Sequence, residues 1–203
     1  MKFKDILIIT VLILVATTTA GCVNLDPSHN VDVTITTNGS DVQLETSKIF
    51  LFFDTVPTSM KREMTNKALA DVYNDTSTVE SIKNDIQEIA EYYDYNVTVI
   101  IDSQYGKDQL PMVATVKGTS MLPTLQDGQD VVLLKTEDIK VGDIVVASHP
   151  EHGLIVKRVA RINNGQVYLM SDNREVTISN NLIIRGLDTW LPIENVVGVV
   201  KEY

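Results

Sequence analysis

Cysteine occurs once in the chain, as Cys22. A single thiol permits no disulfide within the chain and no thiolate metal site. Histidine is almost as scarce, with 3 residues. His149 and His152 fall in Ser148-His149-Pro150-Glu151-His152-Gly153, which reads as a surface hairpin loop rather than a metal site, and no cofactor is expected. Positive charge is also in deficit: 17 Lys and Arg face 27 Asp and Glu, for a net charge of −10. No basic patch or stripe exists, so the electrostatic footprint of nucleic-acid binding is missing. The deficit is uneven, with 6 basic and 15 acidic residues over 22–113 against 9 and 11 over 114–203. What the chain does have is apolar content, 44% hydrophobic, enough to bury a core and to exclude wholesale disorder.

Its start is a targeting segment rather than part of a fold. Lys2 and Lys4 precede an apolar run over 6–16, and small and hydroxyl residues lead to Thr19-Ala20-Gly21-Cys22. That ending resembles a lipoprotein signal, in which Cys22 becomes the lipidated N-terminus, although Thr19 stands where such signals carry an aliphatic residue. An uncleaved signal anchor is the alternative, and the run is short for a span. Either version tethers the rest of the chain to the cell membrane on its extracytoplasmic side, after a polar tether at 23–30.

Residues 31–105 read as a small α+β unit. Val31, Val33 and Ile35 alternate with polar residues, as do Val42 and Leu44, and Asn38-Gly39 between them signals a hairpin with a primed turn. An apolar run at 49–53 predicts a buried strand. The period then becomes helical, with Met60, Met64, Ala68 and Val72 on one face. Asn74-Asp75 breaks that helix, and Ser77 with Glu80 forms a capping-box pair for the next. Val79, Ile82, Ile86, Ile89 and Tyr93 recur at helical spacing, and Val97, Val99 and Ile101 return to alternation. Nothing in this unit converges on chemistry.

A boundary is expected over 103–111. Beyond it, short apolar runs at 112–116, 131–134, 144–147, 154–159, 167–170, 182–184 and 196–200 are separated by turn residues, which predicts a folded or barrel-like β structure. Two stretches stand out within it. Gly118-Thr119-Ser120-Met121-Leu122-Pro123 presents a serine in a glycine- and proline-defined turn, and Val156-Lys157-Arg158-Val159 places a lysine in an apolar strand. Taken singly, Ser120 would be a turn residue and Lys157 an edge lysine reaching for water.

Together, and in order, they resemble the nucleophile and catalytic-lysine motifs of type I signal peptidases and LexA-type self-cleaving proteins. Lys140-Val141-Gly142-Asp143-Ile144 is similar to that family's following turn and strand, and Ser171-Asp172-Asn173-Arg174 to its Gly-Asp-Asn-Arg loop. Leu191-Pro192-Ile193-Glu194-Asn195-Val196 is similar to its closing strand. The resemblance covers 112–203. It implies a β-rich serine peptidase domain with a Ser120–Lys157 dyad. Lys157 acts as base once burial has removed its charge, and the Ser120 N–H serves as oxyanion donor. Gly118, Met121, Asp172 and Thr177 are its implied support. Gly118 stands where some signal peptidases supply a second hydroxyl, Ser171 replaces the usual glycine, and Ser179-Asn180-Asn181 replaces a usual Asp-Ser-Arg. Arg158 reads as a structural ion-pair partner for the Asp172 loop, and Trp190 as a core or membrane-facing aromatic. The resemblance also implies a protein or peptide substrate added as a β-strand along 112–118. Two alternatives stay open: self-cleavage between Gln104 and Val113, and a binding module without catalysis.

Overall fold

The computed structural model describes residues 30–47, 56–175, 177–179, 182–184 and 186–203, with backbone alone for the two short strands within 177–184. The expected targeting segment with Cys22, the expected tether up to residue 29 and the expected strand at 49–53 lie outside the described residues. Among the described residues, no helix is long and apolar enough to cross a membrane.

The first unit is α+β, as its alternating and helical periods predict. Strands β1 (Asn30–Thr37), β2 (Val42–Ser47) and β3 (Asn96–Asp102) form a sheet in the order β2-β1-β3, with β1 antiparallel to β2 and parallel to β3. Helices α1 (Thr58–Tyr73) and α2 (Val79–Tyr92) lie between β2 and β3 in sequence. Met60, Met64, Ala68 and Val72 of α1 are wholly buried against Val33, Ile35, Ile82, Ile86 and Ile101.

Two local expectations are corrected. The β1–β2 connection is a four-residue loop rather than a two-residue primed turn: Thr37 pairs with Val42, and Asn38 Oδ1 accepts from the N–H groups of Ser40 and Asp41. An asparagine side chain that replaces backbone partners in this way opens the tighter turn. The capping box of α2 is built by Thr78 and Ser81, one residue later than expected, with Ser81 N–H donating to Thr78 Oγ1 at 3.1 Å and Thr78 N–H to Ser81 Oγ at 2.9 Å. A serine at that third helical position reciprocates as well as Glu does, so burial of Ile82, Ile86 and Ala90 sets the helix start.

The second unit is a seven-stranded antiparallel sheet in the order β11-β8-β7-β6-β12-β5-β4. Its strands are β4 (Leu110–Thr115), β5 (Asp130–Lys135), β6 (Ile144–His149), β7 (Gly153–Asn163), β8 (Gln166–Met170), β11 (Thr189–Pro192) and β12 (Val196–Glu202). A separate hairpin joins β9 (Thr177–Ser179) to β10 (Leu182–Ile184). The short strands β9 and β11 were not legible in the apolar pattern. The sheet curls around two cores, one centred on Met112, Met121, Leu125 and Leu133, the other on Val145, Val159, Leu169 and Val199. At Gly198 of β12 the chain lies tight against β5, and a Cβ there would lie 2.4 Å from Leu134 O.

No flexible linker separates the units at 103–111. Strand β4 begins at Leu110, which is wholly buried in the first core, while Met112 two residues later enters the second. Further ties cross the junction: Tyr105 Oη donates to Glu202 at 2.6 Å, and Lys135 Nζ donates to Ser77 O at 3.0 Å and to Asn74 O. Burial pushes the Lys135 amine down to about 8. Leu110→Ala is therefore expected to lower stability by about 2–5 kcal/mol, the usual cost of a cavity at a closed site. Denaturant unfolding should show one transition at lower midpoint, with the near-UV signals of both units lost together.

Candidate active site

Ser120 stands in a turn clamped at both ends. Before it, Gly118 has φ +87° and donates its N–H to Asp127 Oδ1 at 2.7 Å. Only open space surrounds the Cβ position of Gly118, so the left-handed backbone requires the glycine, and no close chain approach is involved. After it, Met121 and Leu125 are buried in the second core, and Leu125 N–H donates to Met121 O at 2.9 Å. The Met121 side chain is thus an anchor that fixes the serine backbone from behind. The Leu122–Pro123 peptide bond is cis.

Lys157 lies in the middle of β7, opposite Val145 of β6. Period-two alternation sets it on the side of Ile155 and Val159, which face the second unit's core. It is 5% exposed, little for a lysine, and its Nζ reaches Ser120 Oγ at 2.7 Å and Val156 O at 3.0 Å. Burial lowers its pKa from the usual lysine range, and the Asp188 carboxylate opposes that shift. An amine and a hydroxyl at this separation can exchange a proton in either direction once the amine is neutral.

The loop after β8 grips the serine turn. Asn173 N–H donates to Ser120 O at 2.9 Å, and Asn173 Nδ2 donates to Thr119 O at 3.0 Å. Asp172 accepts from Arg158 Nε at 2.8 Å and Nη2 at 2.6 Å, and from Thr124 Oγ1 at 2.6 Å. The Arg158 guanidinium holds the Asp172 carboxyl below the usual carboxylate range. Arg158 also donates to Gly142 O at 2.7 Å, so the glycine turn before β6 joins the same network.

The structure therefore brings Ser120, Lys157, Gly118, Met121 and Asp172 into one neighbourhood. Thr177 heads β9, for which only the backbone is described, and Cys22 lies outside the described residues. Trp190 is neither core nor isolated: it is 42% exposed and packs on Tyr168 with ring centroids 5.1 Å apart. His149, at the end of β6, and His152, in the exposed turn after it, stack with ring centroids 4.6 Å apart. Sequence reasoning missed Asn173 and Thr124 as holders of the serine turn. It also missed Asp188, which accepts from Ser171 N–H at 2.9 Å and from Arg174 at 2.7 Å. A cavity of about 890 Å³ lies elsewhere, between the α1–α2 loop and residues 193–197, and contains neither Ser120 nor Lys157. Ser120 is instead half-buried, in the turn that follows the edge strand β4.

Ser171, the departure from the usual glycine, is matched by Gly186. Ser171 is 2% exposed and donates to Leu187 O at 3.1 Å. A Cβ at Gly186 would lie 2.4 Å from Ser171 Oγ and 2.7 Å from its Cβ.

A protein-family model described as Peptidase S24-like matches residues 71–185. The match begins near the end of α1, earlier than the resemblance read from the motifs, and stops short of β11 and β12. A search of curated proteins finds no match.

Two outcomes follow for this site. Gly186→Ala should destabilise the chain by about 1–3 kcal/mol through overpacking, and Ser171→Gly in the same chain should recover most of it. Additive losses in a denaturation cycle would refute the pairing. Asp188→Asn should lower the Lys157 pKa further, since a carboxylate that favours its ammonium is removed. NMR titration of the Lys157 side chain reads this directly, and an upward shift would refute it.

Proposed function

The chain belongs to the Peptidase S24-like family, and from that membership and the site geometry we propose a membrane-tethered serine endopeptidase acting on exported proteins or peptides outside the cytoplasm. Membership carries a serine-peptidase kind of reaction, including self-cleavage. The observation that carries the finer reading is the 2.7 Å contact between Ser120 Oγ and the amine of buried Lys157.

In this mechanism neutral Lys157 takes the Ser120 proton as Oγ attacks the scissile carbonyl carbon. Charge develops on the carbonyl oxygen, and the Ser120 N–H, which has no acceptor among the described residues, serves as its donor. The C–N bond then breaks, with Lys157 returning its proton to the departing amine. Water, deprotonated by Lys157, attacks the ester on Ser120, releases the acid and restores the hydroxyl. Asn173 and Asp172 act by holding the turn, not by touching the substrate.

The substrate is a protein or peptide laid beside β4 as an added strand, with small residues next to the scissile bond. No nucleic acid and no cofactor enters this reading. The membrane tether rests on the targeting segment and on Cys22 or an uncleaved anchor.

Ser120→Ala and Lys157→Met should each lower kcat/KM for an Ala-X-Ala peptide by about 10³-fold or more, with the fold intact. Activity requires the neutral amine, so kcat/KM should rise with pH through the depressed Lys157 pKa, at a pH below that of an ordinary lysine. A rise centred in the ordinary lysine range, or full activity in Lys157→Met, would remove the dyad.

A further inference from the structure

Strand β4 has a partner on one side only, and it leads directly into the Ser120 turn. Toward β5, Val116 N–H donates to Gln129 O at 2.8 Å, and Gly128 N–H donates to Val116 O at 2.9 Å. Antiparallel alternation then turns residues 112, 114 and 116 toward β5 and residues 113, 115 and 117 outward. The outer edge is not wholly open. Val113 N–H donates to Gly39 O, from the β1–β2 loop, at 3.3 Å.

That loop is shaped to lie there. Gly39 has φ +94°, and its missing Cβ would sit 3.1 Å from Met112 N and 3.2 Å from Met112 Cα, so only glycine fits against the strand backbone. Thr37 Oγ1 accepts from Gly39 N–H at 3.0 Å and donates to Asp41 O at 2.7 Å. Asn38 Oδ1 holds the N–H groups of Ser40 and Asp41, each at 2.9 Å. From α1, Tyr73 Oη donates to Ser40 O at 2.7 Å and braces the loop from outside. The outward N–H groups of Thr115 and Lys117, by contrast, have no acceptor among the described residues.

We propose that the Asn38–Asp41 loop is the end wall of the substrate groove, confining backbone pairing of an added strand to Thr115 and Lys117, between Val113 and Ser120. This rests on the serine-peptidase reading and adds a length limit to it. The four residue steps from Val113 to Lys117 span about 13 Å, so a substrate chain gains contacts over about four residues on the β4 side and none beyond. A unit without chemistry of its own thereby sets specificity for the site next to it.

The test has two arms, both on the full chain in detergent. Amide hydrogen exchange compares Val113 with Thr115. Val113 should exchange more slowly in the wild type, and in Gly39→Val the two should become alike, because the added side chain cannot stay against Met112. Quenched-fluorescence peptides on an Ala-X-Ala core, lengthened one residue at a time on either side, form the second arm. Wild-type kcat/KM should level off after about four residues on one side. In Gly39→Val, and in the milder Asn38→Ala with Tyr73→Phe, two more residues should raise it by about three- to tenfold, the effect of one or two added backbone hydrogen bonds. Equal exchange of Val113 and Thr115 in the wild type overturns the wall, as do identical length profiles in wild type and variants. Failure of the peptidase reading shows separately, as peptide cutting that Ser120→Ala leaves unchanged; the exchange comparison decides the capped edge in that case too.

Discussion

The site depends on one unfavourable burial. An ammonium taken out of water loses solvation that only a close counter-charge repays, and a lysine without one responds by giving up its proton. Lys157 is buried with a hydroxyl and a backbone carbonyl as its nearest partners, both neutral. The carboxylate that acts on it, Asp188, has its charge offset by the Arg174 guanidinium at 2.7 Å. Arg174 thus works at a distance: an unpaired Asp188 would hold the Lys157 proton more firmly. Burial is the larger of the two opposing effects on the lysine.

The neighbouring residue completes the arrangement. Successive side chains of a strand point to opposite faces. Lys157 therefore turns to Ser120, while Arg158 turns to Asp172 and, through it, to Thr124 in the serine turn. One dipeptide of β7 holds Lys157 against Ser120 and fastens the loop that grips the serine turn. The Arg158–Asp172 pair is bidentate and partly shielded, a geometry that fixes orientation more than it adds stability. Its value lies in holding Asn173 where it caps the carbonyls of Thr119 and Ser120.

Much of this was legible in the sequence, and what was not has a physical reason. Helical and alternating periods identified α1, α2 and most strands because one face of each is buried, as with Met60, Met64, Ala68 and Val72. Strand β11 escaped because Trp190 is half exposed on an edge and Thr189 is polar, so no apolar period marks it. The serine and lysine were visible as types in a setting; their 2.7 Å separation was not, because it depends on how the sheet curls. Gly186 against Ser171 and Asp188 near Lys157 are contacts across a loop with no repeat and no motif spacing. Sequence periodicity reports burial, and these residues act through proximity.

The same packing bears on whether the chain cuts itself or another protein. Intramolecular cutting between Gln104 and Val113 would bring that segment to Ser120. Leu110 to Val113 are instead paired with Lys135 to Val132 of β5, and Leu110 is closed into the first core. Freeing them would strip β4 from the sheet, and β4 is the strand that delivers Gly118 and Ser120 to Lys157. The cut would dismantle the site that makes it. An added strand beside β4 has no such conflict, since Thr115 and Lys117 turn their backbone groups outward. The packing therefore favours a substrate supplied by another chain over one drawn from the 104–113 segment.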